Sequence, residues 1–346
     1  MRWAVILAGG VGSRFWPVST AARPKQLLPL ASDAPLLLEA VDRIAPLIPL
    51  ERVLIVTSEL LAPALGEALP GLDLRHLLAE PRAASTLPAL AWATARIAAE
   101  DPGGSVLSLH ADWVVGDAAG FRSAAQAALD VAERMDVLVT VGARATRPET
   151  GFGYVVAGHA IGAGGHAIVR FEEKPSRARA VELIDQGALW NTGLFAWTAR
   201  RFRAEVVTHA TELTPGLEAL DRGDAAAFYA AVKPVSVDVG LFERTTRGAV
   251  VPGDFGWDDV GSWAALLRVR HADADGNVTV GSNVHLVDTH RVVAWAEGGP
   301  LVVDGVDDVV VVQARGITLV TTTTRAPDLK RLLDRLPPTL AGERGA

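Results

Sequence analysis

An apolar run, Trp3-Ala-Val-Ile-Leu-Ala8, passes directly into Gly9-Gly10-Val11-Gly12-Ser13-Arg14-Phe15-Trp16-Pro17, with Arg23-Pro24-Lys25-Gln26 close behind. The run is too short for a helix and apolar enough for a buried strand. Glycines after it let the backbone take positive φ and turn its N–H groups toward an anion, so the segment reads as a strand feeding a phosphate-binding loop with two fixed cations, Arg14 and Lys25. Two common loops of this kind are excluded. A dinucleotide fingerprint needs a third glycine where Phe15 stands, and a Walker A loop needs a Gly-Lys-Ser/Thr string that is absent nearby.

The first half of the chain repeats the strand signal at Arg52 to Ser58, Ser105 to Leu109 and Val137 to Val141, alternating with helical patterns over Leu36 to Ile48 and Ala89 to Ala99. Such alternation implies an α/β fold, a mostly parallel sheet with helices on both faces, in which ligands bind beyond the carboxyl ends of the strands. After Trp263 the texture becomes β-rich, at Asn277 to Leu286, Arg291 to Trp295 and Val309 to Gln313, followed by an amphipathic helix over Leu329 to Leu336. The division expected is a catalytic domain over 1–266 and a small β-rich domain with a terminal helix over 267–346. A length of 346 residues favours two such units over one core.

Apolar residues make up 49% and charged residues 21%, enough for a buried core and unlike a disordered chain. The net charge of -7 argues against a nucleic-acid surface, which needs clustered excess Lys and Arg, so phosphate is held locally. With no cysteine there is no disulfide framework, thiolate metal site or thiol nucleophile. Met1 to Leu7 begins like a signal peptide, but Gly9-Gly10 ends the apolar run too soon for a signal or a membrane span. A cytoplasmic enzyme with no membrane partner is expected.

The string Gly-Gly-x-Gly-x-Arg-x-Trp-Pro followed by Pro-Lys-Gln resembles the signature of the sugar-1-phosphate nucleotidyltransferases, most of all those joining GTP to mannose 1-phosphate. Further blocks agree, from Trp3 to Trp263. The resemblance implies a Rossmann-like fold of the nucleotide-diphospho-sugar transferase type with a β-helix-like C-terminal domain. It also implies GTP and mannose 1-phosphate as substrates and Mg²⁺ or another divalent metal as cofactor, and it is compatible with a homodimer. In the implied reaction a sugar-phosphate oxygen attacks the α-phosphorus of the triphosphate and releases pyrophosphate. The nucleophile is already an anion, so the site must align polyanions and neutralise charge.

Arg14 and Lys25 match the family's catalytic cations, and Ala8, Gly9, Gly10, Gly12 and Ser13 its nucleotide loop. Glu80, Pro81 and Thr86 match a nucleotide-pocket block, Glu-Pro-x-x-Arg-Asn-Thr, whose Arg-Asn pair is here Ala84-Ser85. That loss implies a narrower preference for guanine, with Arg82 as a replacement guanidinium. Phe171-Glu172-Glu173-Lys174-Pro175 and Trp190-Asn191-Thr192-Gly193 match the sugar-binding blocks, so Glu173 and Asn191 are expected to hold the hexose and Lys174 its phosphate. Gly153 lies in a pocket-lining loop, Pro148 to Tyr154, and Asp238 in a degraded block. Asp112 and Asp259 are the expected metal ligands, being hard oxygen donors, with Asp258 as an alternative to Asp259. His110 and Trp113 depart from the family's usual neighbours of Asp112, and His76, His209 and His285 show no metal spacing.

Other readings stay open at this point. A different base or hexose would keep the chemistry, and a non-catalytic nucleotide-sugar-binding subunit would not need the aspartate pair. A nicotinamide dehydrogenase is disfavoured by the missing glycine.

Overall fold

A computed structural model describes residues 1–341, so the last five residues of the expected C-terminal domain lie outside the described residues. Four strands, β1 (Arg2–Leu7), β2 (Val53–Ser58), β3 (Leu77–Glu80) and β4 (Ser105–His110), run parallel. Later come the short β5 (Val114–Val115), then β6 (Leu138–Arg144), β7 (Gly153–Gly162), β8 (Gly165–Glu173), β9 (Leu189–Thr198) and β10 (Gly248–Pro252). The main sheet has the order β3-β2-β1-β4-β9-β6-β10-β8-β7. It is mostly parallel, but β9 is antiparallel to both β4 and β6, and β8 is antiparallel to β10 and β7.

Both faces of the sheet are covered. Along β1, Trp3, Val5 and Leu7 pack with Leu87, Leu90 and Ile97 of the helix Thr86–Glu100 and with Phe202 and Val206 of the helix Ala199–His209. Ala4, Ile6 and Ala8 face the other way, onto Leu37 and Ile44 of the helix Leu36–Ile44 and Phe121 and Leu129 of the helix Ala118–Met135. This explains the unbroken apolar run: a strand buried on both sides has no polar alternation to show. The chain passes from β1 to β2 and β3 on one side and to β4 on the other, so the loops after β1 and β4 meet where the strand order reverses.

The antiparallel β9 has a consequence for the site. Its first residues lie level with the carboxyl ends of its neighbours, since Asn191 pairs with Gly142 of β6 and Phe195 with Ser108 of β4. The hairpin of β7 and β8 adds Gly153 opposite Glu173, and Tyr154 pairs with Trp190.

From Val278 the chain alternates between two small parallel sheets, Val278–Val280 with Val293–Ala296 and Val309–Ala314 in one and Val284–Val287 with Leu301–Asp304 in the other. Successive turns stack as a coil, in a β-helix-like manner, closed by the antiparallel strand Ile317–Thr322. The helix expected over Leu329 to Leu336 is shorter, Leu329–Leu333, with a 3₁₀ turn before it at Ala326–Asp328. This layer shares a core with the loop after β1: Phe15 and Trp16 pack with Trp263, Trp295, Val310 and Leu329. Among the described residues no helix is long and apolar enough to cross a membrane.

Candidate active site

Polar contacts within the loop after β1 give it its shape. Gly12 has φ of +78°, and a Cβ there would fall 2.3 Å from the Lys25 Cβ, so glycine is required on both counts. Ser19 Oγ donates to the Gly12 carbonyl at 2.7 Å, Gln26 Nε2 to the Gly10 carbonyl at 2.8 Å, and the Lys25 amide to the Val11 carbonyl at 3.0 Å. Gly9, Gly10, Ser13 and Arg14 remain exposed. Ala8 does not join them: it is buried, its N–H donates to the Val56 carbonyl and its carbonyl accepts from the Thr57 hydroxyl.

Lys25 lies beneath this loop with only 8% of its side chain exposed. Its ammonium donates to Asp112 Oδ2 at 2.9 Å and to the main-chain carbonyl of Asp259 at 2.8 Å. Asp112 follows β4, and the Asp259 loop is held beside it by β11 (Trp257–Asp258), which pairs with β5 in the register Asp258 to Val114. Burial acts to raise the Asp112 carboxyl, but the Lys25 ammonium, the His110 ring and a main-chain hydrogen bond together hold the group below the usual carboxylate range. Asp259 goes the other way. Burial pushes its carboxyl up, and the charges of Asp258 and Asp112 add to the rise while Lys25 opposes it.

The two neighbouring aspartates differ in what they are free to do. Asp258 is gripped by Arg268, Nε at 2.8 Å from Oδ2 and Nη2 at 3.0 Å from Oδ1, and it also accepts from the Val260 amide. No hydrogen bond to the Asp259 carboxylate is present among the described residues, and a Cβ on Gly261 would lie 3.0 Å from it and 3.7 Å from the Arg14 guanidinium. Arg14 makes no ion pair among the described residues. The site therefore offers a bound cation, an exposed cation and two carboxylates at the mouth of the loop.

Across from the glycine loop, at the start of β9 and the end of β8, the structure brings Gly153, Glu173, Lys174 and Asn191 together. A Cβ on Gly153 would fall 2.6 Å from Glu173 Oε2 and 3.2 Å from the Asn191 Cβ, so the close approach itself needs glycine. Lys174 adopts φ of +48°, a strained value for a residue with a side chain, and its ammonium reaches Glu173 Oε1 at 2.8 Å while 63% of the side chain is exposed. The hydrogen bond to Glu173 raises the Lys174 ammonium, which stays charged. Asn191 Nδ2 donates to Asp238 Oδ1 at 2.8 Å, and its Oδ1 accepts from the Thr140 hydroxyl and the Gly193 amide. Burial, then the Glu173 charge, push the Asp238 carboxyl up to about 7. His110 and Trp113, in ring contact at 5.2 Å, fill the space between Asp112 and this segment: a Cβ on Gly193 would lie within 3.4 Å of both.

Glu80 ends β3 beside the loop, its Oε2 3.8 Å from where a Gly9 Cβ would stand. Pro81 is exposed, and the Thr86 hydroxyl accepts from the Val237 amide at 2.9 Å. Burial raises the Glu80 carboxyl to about 7, against the opposing effect of a hydrogen bond from the Tyr229 hydroxyl at 2.9 Å. Tyr229 stands 149 residues away and carried no signal in the sequence. Arg82 does not serve as a replacement guanidinium. Its Nε donates to the Tyr229 carbonyl at 2.6 Å and its Nη2 to the Val232 carbonyl at 2.5 Å, which anchors the end of the helix Ala225–Ala231.

The family described as Nucleotidyl transferase matches residues 3–276. The alginate biosynthesis protein AlgA of Pseudomonas aeruginosa is 35% identical over 352 residues, which cover 96% of this chain and 71% of that protein. The mannose-1-phosphate guanylyltransferase of Escherichia coli is 33% identical over 354 residues, 96% of this chain and 73% of that one. Among solved structures, the mannose-1-phosphate geranyltransferase from Thermus thermophilus superposes with a TM-score of 0.89 at 34% identity, covering 96% of this chain and 98% of that chain.

Proposed function

This chain belongs to the nucleotidyl transferase family, and from that premise we infer that it transfers GMP from GTP to mannose 1-phosphate, giving GDP-mannose and pyrophosphate. The observation that carries the residue-level reading is the Lys25 ammonium bound to both Asp112 and the Asp259 main chain at the mouth of the glycine loop. An ammonium has three N–H donors, and two are used here, which leaves one for an oxygen of the transferring phosphate. Arg14, exposed and unpaired among the described residues, supplies the second positive charge.

Asp112 and Asp259 fit a hard divalent cation such as Mg²⁺. Asp259 is a half-buried carboxylate with negative neighbours in Asp258 and Asp112, and a metal held with polyphosphate typically takes one or two carboxylates and fills the rest with phosphate oxygens and water. When bound, such an ion neutralises the triphosphate and stabilises the departing pyrophosphate. Glu173 and Asn191 orient the hexose hydroxyls, Lys174 holds the sugar phosphate, and the loop amides of Gly9, Gly10, Gly12 and Ser13 take the nucleotide phosphates. Glu80 reads the base, accepting from the guanine N1–H and 2-amino group.

The test is a panel of nucleoside triphosphates against hexose 1-phosphates, scored by pyrophosphate release. GTP with mannose 1-phosphate should give the highest kcat/KM. A higher value for a pyrimidine triphosphate or another hexose would overturn the substrate assignment while leaving the reaction class intact.

A further inference from the structure

We propose that Tyr229 is a specificity-determining positioning residue, whose hydroxyl holds the Glu80 carboxylate as a two-oxygen acceptor and so makes the base pocket choose guanine over adenine. The proposal rests on the reading of Glu80 as the base-contacting group.

The two purines ask for opposite chemistry at their Watson–Crick edges. Guanine offers two donors, N1–H and the 2-amino group, which an ionised carboxylate accepts together. Adenine offers an acceptor at N1 and a donor at the 6-amino group. A neutral carboxyl, with one O–H to give and one carbonyl oxygen to receive, is the partner that fits it. Whichever state Glu80 holds therefore sets the preferred base.

One contact in the structure works for the ionised state against burial. Tyr229 Oη lies 2.9 Å from Glu80 Oε1, and the ring is buried, with Trp92 packed edge-to-face at 5.6 Å and Phe228 at 5.4 Å. Burial and the adjacent carboxylate raise the phenol far above neutrality, so it stays a donor, and a donor stabilises the charged form of its partner. The main chain under the ring is pinned by Arg82 at the Tyr229 and Val232 carbonyls, which fixes the height of the hydroxyl over Glu80. Other charges nearby are few: the Arg82 guanidinium acts on the phenol, and Glu59, whose amide donates to the Glu80 main-chain carbonyl, is exposed. Burial drives the carboxyl up, to about 7 with the Tyr229 hydroxyl opposing it, so removing that hydroxyl lets it rise further.

The experiment measures kcat/KM for GTP and for ATP, with saturating mannose 1-phosphate, between pH 5.5 and 8.5. In the wild-type enzyme the GTP-to-ATP ratio should fall as pH drops below about 7. Tyr229→Phe keeps the ring contacts and removes the donor. It should lower the ratio at pH 7.5 by about tenfold, the worth of one hydrogen bond to a charged group, and move the pH at which the ratio is half lost upward. The change should appear in KM rather than kcat, which a merely structural defect would not produce. A wild-type ratio that is flat across the range overturns the proposal, as does a Tyr229→Phe profile that matches wild type or falls equally for both nucleotides. Glu80→Gln separates the two levels. If it leaves the ratio unchanged, the base reading of Glu80 fails and the role of Tyr229 with it; if it collapses the ratio while Tyr229→Phe does not, the role of Tyr229 alone is lost.

Discussion

Lys25 Nζ stands 2.9 Å from Asp112 Oδ2, joining the loop after β1 to the end of β4 across 87 positions of sequence. The ammonium is enclosed while the carboxylate keeps 35% of its side chain exposed, so the pair presents one negative edge to the site and hides its positive partner below. A cation placed this way gains most when negative charge builds above it, because the surrounding protein cannot rearrange to screen it.

Lys25→Ala should lower kcat by about 10²–10³, with a smaller change in KM for GTP, since the lost donor acts chiefly on charge developing in transfer. Lys25→Arg should not restore the rate, because the planar guanidinium does not fit a pocket closed to within 8% exposure around an ammonium. Steady-state kinetics with both variants checks this, and a near wild-type kcat in Lys25→Ala removes the residue from the reaction.

Asp112→Asn and Asp259→Asn should each raise the Mg²⁺ concentration needed for half-maximal activity, while Asp258→Asn should not. Asp258 spends its oxygens on Arg268 and the Val260 amide, so its loss should appear in the unfolding midpoint instead. Asp112→Asn carries a stability cost too, about 1–2 kcal/mol, because Lys25 is left buried without its counter-charge but next to solvent at the Asp112 edge. Metal titration of activity together with urea unfolding distinguishes the three; a shifted metal requirement in Asp258→Asn would move the ligand by one position.

The contrast between these neighbours shows where sequence reading stops. Spacing identifies an Asp-Asp pair, but which member is free depends on Arg268, ten residues on, folding back over Asp258. The strand runs and the glycine loop were legible because burial on both faces and positive φ leave local marks, the unbroken apolar string of β1 and Gly12 opposite Lys25. Strand direction leaves no such mark, so nothing in Leu189 to Thr198 announces that β9 runs against β4 and β6. Glu80 stands in a recognisable block, whereas its partner Tyr229 lies on a short helix without a motif. Phe15 was legible only as a departure from a dinucleotide loop. The C-terminal layer supplies its reason, as the surface that Phe15 and Trp16 dock against.

Trp263→Ala should destabilise the protein by about 3–5 kcal/mol, the range for deleting a fully buried aromatic. Trp263 packs edge-to-face on Phe15 at 5.1 Å and on Trp295 at 5.2 Å, and its Nε1 donates to the Trp16 carbonyl at 3.0 Å. Its loss therefore loosens the anchor of the glycine loop as well as the junction with the C-terminal coil. Urea unfolding should show the lower midpoint, and KM for GTP should rise before kcat falls. A variant with wild-type stability would mean that the shared core is not what holds the two layers together.

Asp238→Asn is expected to stabilise the protein at pH 8 relative to wild type, and to do so less at pH 5. The folded-state pKa of Asp238 is raised to about 7, so the folded protein binds a proton that the unfolded chain releases near 3.8. Stability from this group is complete below the unfolded value and is lost as pH rises toward the folded one. Asparagine keeps an acceptor for Asn191 Nδ2 and has no charge to bury beside Glu173, so it escapes that loss. The gain should be about 1–2 kcal/mol, below the full shift because the carboxyl is not wholly shut off from solvent. Thermal unfolding of both proteins at pH 5 and pH 8 gives the answer. A difference that does not grow between those values would show that Asp238 is already ionised in the fold, with Lys174 as its effective counter-charge.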